Sequence, residues 1–168
     1  YEPKKRDITA NQFEDKIIHR VACTKILEPV IGPKLIYDNY ASQPNKGTKL
    51  ALERISHFMR SFTANECNWS NDGWIFSGDI HHYFYEIDRE ICMSQIQKLP
   101  IDEQCIELIR KQVYAIGEYD GSNKGICIGF QTSQWLAVYY LNELDHFIKE
   151  KLHIKYYGRY MDNFYIIH

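Results

Sequence analysis

Two aspartates supply the residue types from which metal-assisted chemistry can be built. Asp79 stands in Ser77-Gly78-Asp79-Ile80-His81-His82-Tyr83-Phe84, and Asp162, 83 positions later, in Arg159-Tyr160-Met161-Asp162-Asn163-Phe164. Two carboxylates brought together repel each other unless a divalent cation bridges them. Oxygen-only ligation by carboxylates, waters and phosphates is what Mg²⁺ prefers, and two such ions about 4 Å apart can activate a hydroxyl and stabilise a leaving oxygen in phosphoryl transfer. The spacing does not by itself bring the two aspartates together. Taken alone, Asp162-Asn163 also reads as an ordinary Asp-Asn turn.

The elements that must position them are legible as patterns. Trp74 to Ile80 is strand-like, with Asp79 near its end. Ile154 to Tyr160 and Phe164 to Ile167 are two more strand-like runs, with the bend expected at Asp162-Asn163. If 74–80 lies antiparallel beside this terminal hairpin, both aspartates reach one sheet edge. Upstream, Thr9 with Gln12 has capping-box spacing, and Phe13, Ile17, Ile18, Val21, Ala22, Ile26 and Leu27 recur at helical spacing until Pro29. A long polar loop runs from Asn39 to Gly47. A second helix is expected from Thr48 to about Phe62, with Ala51, Leu52, Ile55, Phe58, Met59 and Phe62 on one face, and then a solvated loop from Thr63 to Gly73. Further helices are expected from Asp88 to Leu99, from Asp102 to Ile116, and from Thr132 or Ser133 to about Leu152. Glu86 and Asp88 read as caps, with Asp88 alternatively close behind the site. The pattern is α+β, helices backing a small antiparallel sheet.

Composition bounds the rest. The 168 residues are 45% hydrophobic and 14% aromatic, enough for one domain or two small lobes of one. No apolar run approaches the roughly 20 residues needed to span a bilayer. The charged start, Tyr1-Glu2-Pro3-Lys4-Lys5-Arg6, is no signal peptide and lacks an initiator Met, so a piece of a longer cytoplasmic protein is expected. Five scattered cysteines without C-x-x-C read as reduced thiols, and no zinc site is expected. A net charge of −2 argues against a simple basic nucleic-acid binder, but residues 1–60 carry 11 Lys/Arg against 7 Asp/Glu and residues 61–168 carry 9 against 15. A basic front and an acidic rear suit a protein that grips phosphates with one part and cations with the other. His81-His82 is a poor metal pair, because adjacent residues point apart; His146 and His153 read as surface residues.

Five segments, in order over essentially the whole chain, resemble the fingers and palm of a reverse transcriptase (RNA-directed DNA polymerase) of bacterial retroelement type. Lys4-Lys5-Arg6-Asp7-Ile8 resembles the first fingers block. Tyr37-Asp38-Asn39-Tyr40-Ala41 with Lys46-Gly47-Thr48 is similar to the fingers loop, and Asp79 to Asp88 to the palm motif bearing the first catalytic aspartate. Gly125-Ile126-Cys127-Ile128-Gly129-Phe130-Gln131-Thr132-Ser133-Gln134 resembles the block under the templating base pair, and Arg159 to Phe164 the Tyr-x-Asp-Asp hairpin. The resemblance implies fingers mainly in 1–73 and palm mainly in 74–168, with room for fingers elements within 89–130, and it stops short of a thumb.

Roles follow from the resemblance position by position. Asp79 and Asp162 would ligate two Mg²⁺ ions (or Mn²⁺), assisted by the Ile80 carbonyl, with Asn163 completing the catalytic hairpin. Arg6 and Lys5 would clamp the triphosphate. Phe84 would be a steric gate against a ribose 2′-hydroxyl, making deoxynucleoside triphosphates the substrates; its alternative is a core aromatic. Ile128, Gly129 and Ser133 would pack near an RNA template and a DNA or RNA primer, and a retroelement accessory protein is a candidate partner. There are two departures from the pattern. Ile128-Gly129 and Ser133-Gln134 replace the usual Gln-Gly and Ser-Pro, a variant similar to diversity-generating retroelement enzymes and implying low fidelity. Asn163 replaces the second hairpin aspartate, as an engineered inactivation, a natural degeneration or a tolerated change. The competing expectation is a catalytically dead palm that scaffolds nucleic acid or a partner.

Overall fold

The computed structural model describes residues 8, 10–70, 72–115 and 123–168. In chain order the helices are α1 (Phe13–Val21), continued by a π-helical stretch (Ala22–Leu27) into α2 (Glu28–Ile31), and α3 (Thr48–Asn65). Strand β1 (Ile75–Asp79) precedes α4 (Tyr83–Glu86), α5 (Arg89–Gln97), α6 (Glu103–Val113), α7 (Gln131–Tyr140) and α8 (Asn142–His146). A second π-helical stretch (Phe147–Lys151) leads to β2 (Tyr157–Tyr160) and β3 (Asn163–Ile167). The α+β expectation, helices backing a small antiparallel sheet, is met. The chain divides into two compact units, each built from two segments: Tyr1–Pro33 with His82–Tyr140, and Lys34–His81 with Leu141–His168.

The first unit is helical. Asp88 and Asp102 cap α5 and α6, their carboxylates accepting from the backbone N–H groups of Ile91 and Gln104, as short polar side chains do at helix starts. Helix α7 starts at Gln131, so Thr132 and Ser133 lie buried within its first turn and are not its caps. It ends at Tyr140, and the expected single helix to Leu152 is broken at Leu141.

Of the apolar positions expected on this first helix, Ala22 and Leu27 are buried and Ile26 is half-buried, but those within α1 do not pack. Phe13, Ile17, Ile18 and Val21 are exposed, while His19, Ala22, Cys23, Leu27 and Ile31 are buried. The inward face is chosen by His19, whose Nδ1 lies 2.9 Å from Thr132 Oγ1 and whose ring meets Phe130 at 4.5 Å. Nor does Pro29 end the helix. The π-helical stretch closes with the Glu28 N–H on the Cys23 carbonyl, five residues back. That wide turn delivers Pro29 to the first turn of α2, where its missing N–H and its ring are tolerated. The proposed cap Thr9 lies outside the described residues, and Gln12 makes no side-chain cap bond.

The second unit holds the sheet, ordered β1-β3-β2 and antiparallel throughout. Helix α3 runs one turn beyond the expected Phe62 and lays Phe58 and Phe62 against Tyr156, Tyr165 and Ile167. Its other apolar residues face out in part, with Leu52 and Met59 exposed.

Candidate functional site

The register of the β1–β3 ladder decides what Asp79 meets. Gly78 pairs with Phe164 and Asp79 with Asn163. Directly opposed residues in an antiparallel pair project to the same face. One step beyond the ladder, the Ile80 N–H donates to the Asp162 carbonyl at 3.2 Å. Asp79, Ile80, Asp162 and Asn163 are thereby gathered at one end of the sheet. Gly78 permits the close fit: a Cβ there would lie 2.5 Å from the Phe164 ring tip, and that ring packs on Phe76 with centroids 5.8 Å apart.

The bend falls one residue earlier than expected. Tyr160 and Asn163 are the last paired residues, so the loop is Met161-Asp162, and Asn163 belongs to β3. Met161 has φ 58°, the positive value that two-residue hairpin loops require at their first central position. Asp162 is half-buried there, and the Asn163 amide Nδ2 donates to its Oδ1 at 3.3 Å. A neutral donor thus faces the Asp162 carboxylate where a second carboxylate would add an acceptor. The donors at this end, two exposed or half-exposed carboxylates with amide and peptide carbonyls nearby, are all oxygens, and such a set suits a hard cation such as Mg²⁺. Among the described residues no three His, Cys, Asp or Glu side chains converge on a point that could hold a metal.

Behind the hairpin lies a polar cluster that residue types did not announce. The Arg159 and Asp145 side chains are wholly buried and joined by a two-pronged pair, Nε to Oδ1 at 2.8 Å and Nη2 to Oδ2 at 2.7 Å. The Tyr157 hydroxyl also donates to Asp145 Oδ1 at 2.6 Å, and Asn39 Nδ2 to Oδ2 at 3.2 Å. Every lone-pair direction of this carboxylate is used, as a buried charge requires. Burial and the Asp145 charge push the Tyr157 hydroxyl pKa well up, so it stays a donor. The loop before α3 docks on β2 as well: the Arg159 N–H donates to the Asp38 carbonyl and the Tyr40 N–H to the Arg159 carbonyl. Asp38 in turn receives Arg54 at 2.9 Å, Lys149 at 3.0 Å and the Tyr40 hydroxyl at 3.0 Å. Nothing in residue type marks Asp145 and Arg159 as partners 14 positions apart, because a surface pair would look the same in sequence.

The remaining expected site residues belong to the helical unit or lie outside the described residues. Phe84 is half-buried in α4, its ring 5.9 Å from that of Tyr83 and its carbonyl accepting from the Ile126 N–H. Ile128 is half-buried and Gly129 exposed, in a turn where Gly129 has φ 115°, a value that strains other residues. Ser133 is buried in α7. Lys5 and Arg6 lie outside the described residues. His146, expected at the surface, is tied down: Nδ1 to Glu150 Oε1 at 2.6 Å and Nε2 to the Lys34 carbonyl at 2.8 Å.

The fold is thus α+β, with a β1-β3-β2 antiparallel sheet, one end of which carries Asp79 and Asp162. No protein-family model and no curated protein matches the chain. Among solved structures it is similar to telomerase from Candida albicans, solved in complex with a TWJ fragment of telomeric RNA, with a TM-score of 0.62 and 12% identity. The match covers 90% of this chain and 30% of that one. At that identity the likeness is one of fold.

Proposed function

We propose that the chain is the fingers–palm portion of an RNA-directed DNA polymerase that extends a primer 3′ end with deoxynucleotides on an RNA template. The observation that carries this reading is the gathering of Asp79, Ile80 and Asp162 at one sheet end by the β1–β3 register and the Ile80–Asp162 bond. The RNA in the telomerase complex supports a nucleic-acid partner of that kind. Asp79 and Asp162 would hold Mg²⁺ or Mn²⁺ with the Ile80 carbonyl. Bound there, such ions supply charge neutralisation and activation of the primer hydroxyl. That hydroxyl attacks the α-phosphate and pyrophosphate leaves. Arg6 and Lys5 would fix the triphosphate, Phe84 would exclude the 2′-hydroxyl, and Ile128 and Gly129 would lie near primer and template, with the buried Ser133 supporting them from within α7. Residues 1–73 are mainly fingers and 74–168 mainly palm on this reading, and the variant at Ile128 and Gln134 favours a bacterial retroelement enzyme.

A second reading, a nucleic-acid-binding scaffold without activity, draws on the Asn163 amide facing Asp162. Primer extension by the protein with Asn163, with Asn163→Asp and with Asp79→Asn separates the two. Polymerase chemistry predicts extension by Asn163→Asp and none by Asp79→Asn. Failure of Asn163→Asp to extend any primer overturns the enzyme reading; unaided extension by the Asn163 form overturns the scaffold.

A further inference from the structure

We propose that the buried Arg159–Asp145 pair is a positioning device that sets the direction of the Asp162 carboxylate; this rests on reading Asp79 and Asp162 as the cation-binding pair. The third prong of the Arg159 guanidinium, Nη1, donates to the Met161 carbonyl at 2.7 Å. That carbonyl belongs to the peptide plane entering Asp162. The plane leaving Asp162 is fixed at its own carbonyl by the Ile80 N–H. With both flanking planes bonded, the Cα–Cβ direction of Asp162 has no free backbone torsion left to change it. The clamp adds to the hairpin pairing in holding Met161 at φ 58°, a conformation a side chain resists.

Arg159 can serve as the clamp only because Asp145 fixes the other two prongs, and Asp145 is itself immobilised by Tyr157 and Asn39. A planar fork on a saturated, buried carboxylate leaves Nη1 one direction to point. Lysine cannot reproduce this, since one ammonium cannot span both Asp145 oxygens and the Met161 carbonyl.

The test compares the parent protein with Arg159→Lys by amide exchange and Mn²⁺ titration. Loss of a charge-assisted bond should speed exchange of the Ile80 N–H by about tenfold or more. The Ile167 N–H, bonded to the Tyr156 carbonyl, should keep its protection. Mn²⁺ binding should weaken by about 10- to 100-fold, the usual cost of removing a group that orients a ligand. Unchanged exchange at Ile80, or equal acceleration at Ile167, overturns the proposal by reducing Arg159 to general stability. Should Arg159→Lys not fold, the double variant Arg159→Met/Asp145→Leu removes the clamp without stranding a buried charge, and retained Ile80 protection there overturns it equally. Absence of Mn²⁺ binding by the parent, or binding indifferent to Asp79→Asn, sinks the cation reading instead, and the Ile80 exchange still decides the positioning role.

Discussion

At the scale of single residues, Asn163 governs what the sheet end can bind. Its amide donates to Asp162 and contributes no charge. A carboxylate in its place would repel Asp162 in the empty site and attract a divalent ion in the filled one. A unit charge 4 Å away is worth about 1 kcal/mol in water and twice that toward a divalent ion, so Asn163→Asp should tighten Mn²⁺ binding on the order of tenfold or more. Isothermal titration checks this, and a matching drop in metal-free thermal stability should accompany it. Asp79→Asn and Asp162→Asn should each lose about 100-fold or more in Mn²⁺ affinity, at least the loss seen when only a ligand's supporting group is removed. Ile128 offers a separate residue-scale check. If its departure from glutamine implies error-prone copying, Ile128→Gln should lower misincorporation in a fidelity assay, and an unchanged error rate counts against that implication.

Among the elements, the sheet depends on an aromatic ring laid over a glycine. A methyl group on Gly78 would meet the Phe164 ring at 2.5 Å, so Gly78→Ala must displace that ring from Phe76. A cost of about 1–3 kcal/mol is expected, read by chemical denaturation. Asp88→Ala should cost about 0.5–2 kcal/mol through its lost cap on α5. These elements were legible in sequence because strand alternation and cap residues act locally: β1, β3 and the starts of α5 and α6 fall within a residue or so of expectation. The bend was not, although Asp-Asn is good turn chemistry. Its place is set by the bond from the buried Arg159 side chain to Met161 and by the pairing of Asn163 with Asp79, a contact distant in sequence. The packing face of α1 departs from its apolar periodicity for a related reason. Four apolar residues outvoted His19 in the pattern, yet Thr132, 113 positions away, gives the imidazole a buried partner.

For the molecule as a whole, the two units should answer pH in opposite senses. In the helical unit, burial holds the His19 imidazole below its usual 6.5, outweighing the raising effect of Asp15. The unfolded chain takes up a proton that the fold refuses, so stability from this group is lost as pH falls through 6.5. In the sheet unit, the Lys34 carbonyl and then the Glu150 carboxylate raise His146 above 6.5. Its contribution is full below 6.5 and is lost as pH rises through the elevated value. Amide exchange across that range should show the helical unit loosening toward acid and the sheet unit toward base. His19→Gln should flatten the first trend and His146→Gln the second. The π-helical stretch Ala22–Leu27 carries a consequence of another sort, for the history of the chain's length. One extra residue per turn is how a helix absorbs an insertion while its two flanks keep their faces. Deleting one residue there should leave His19 and Ile31 facing inward as before, but it would set the Pro29 ring against the carbonyl four residues back. A relative one residue shorter in this helix is therefore expected to carry something other than proline at that place.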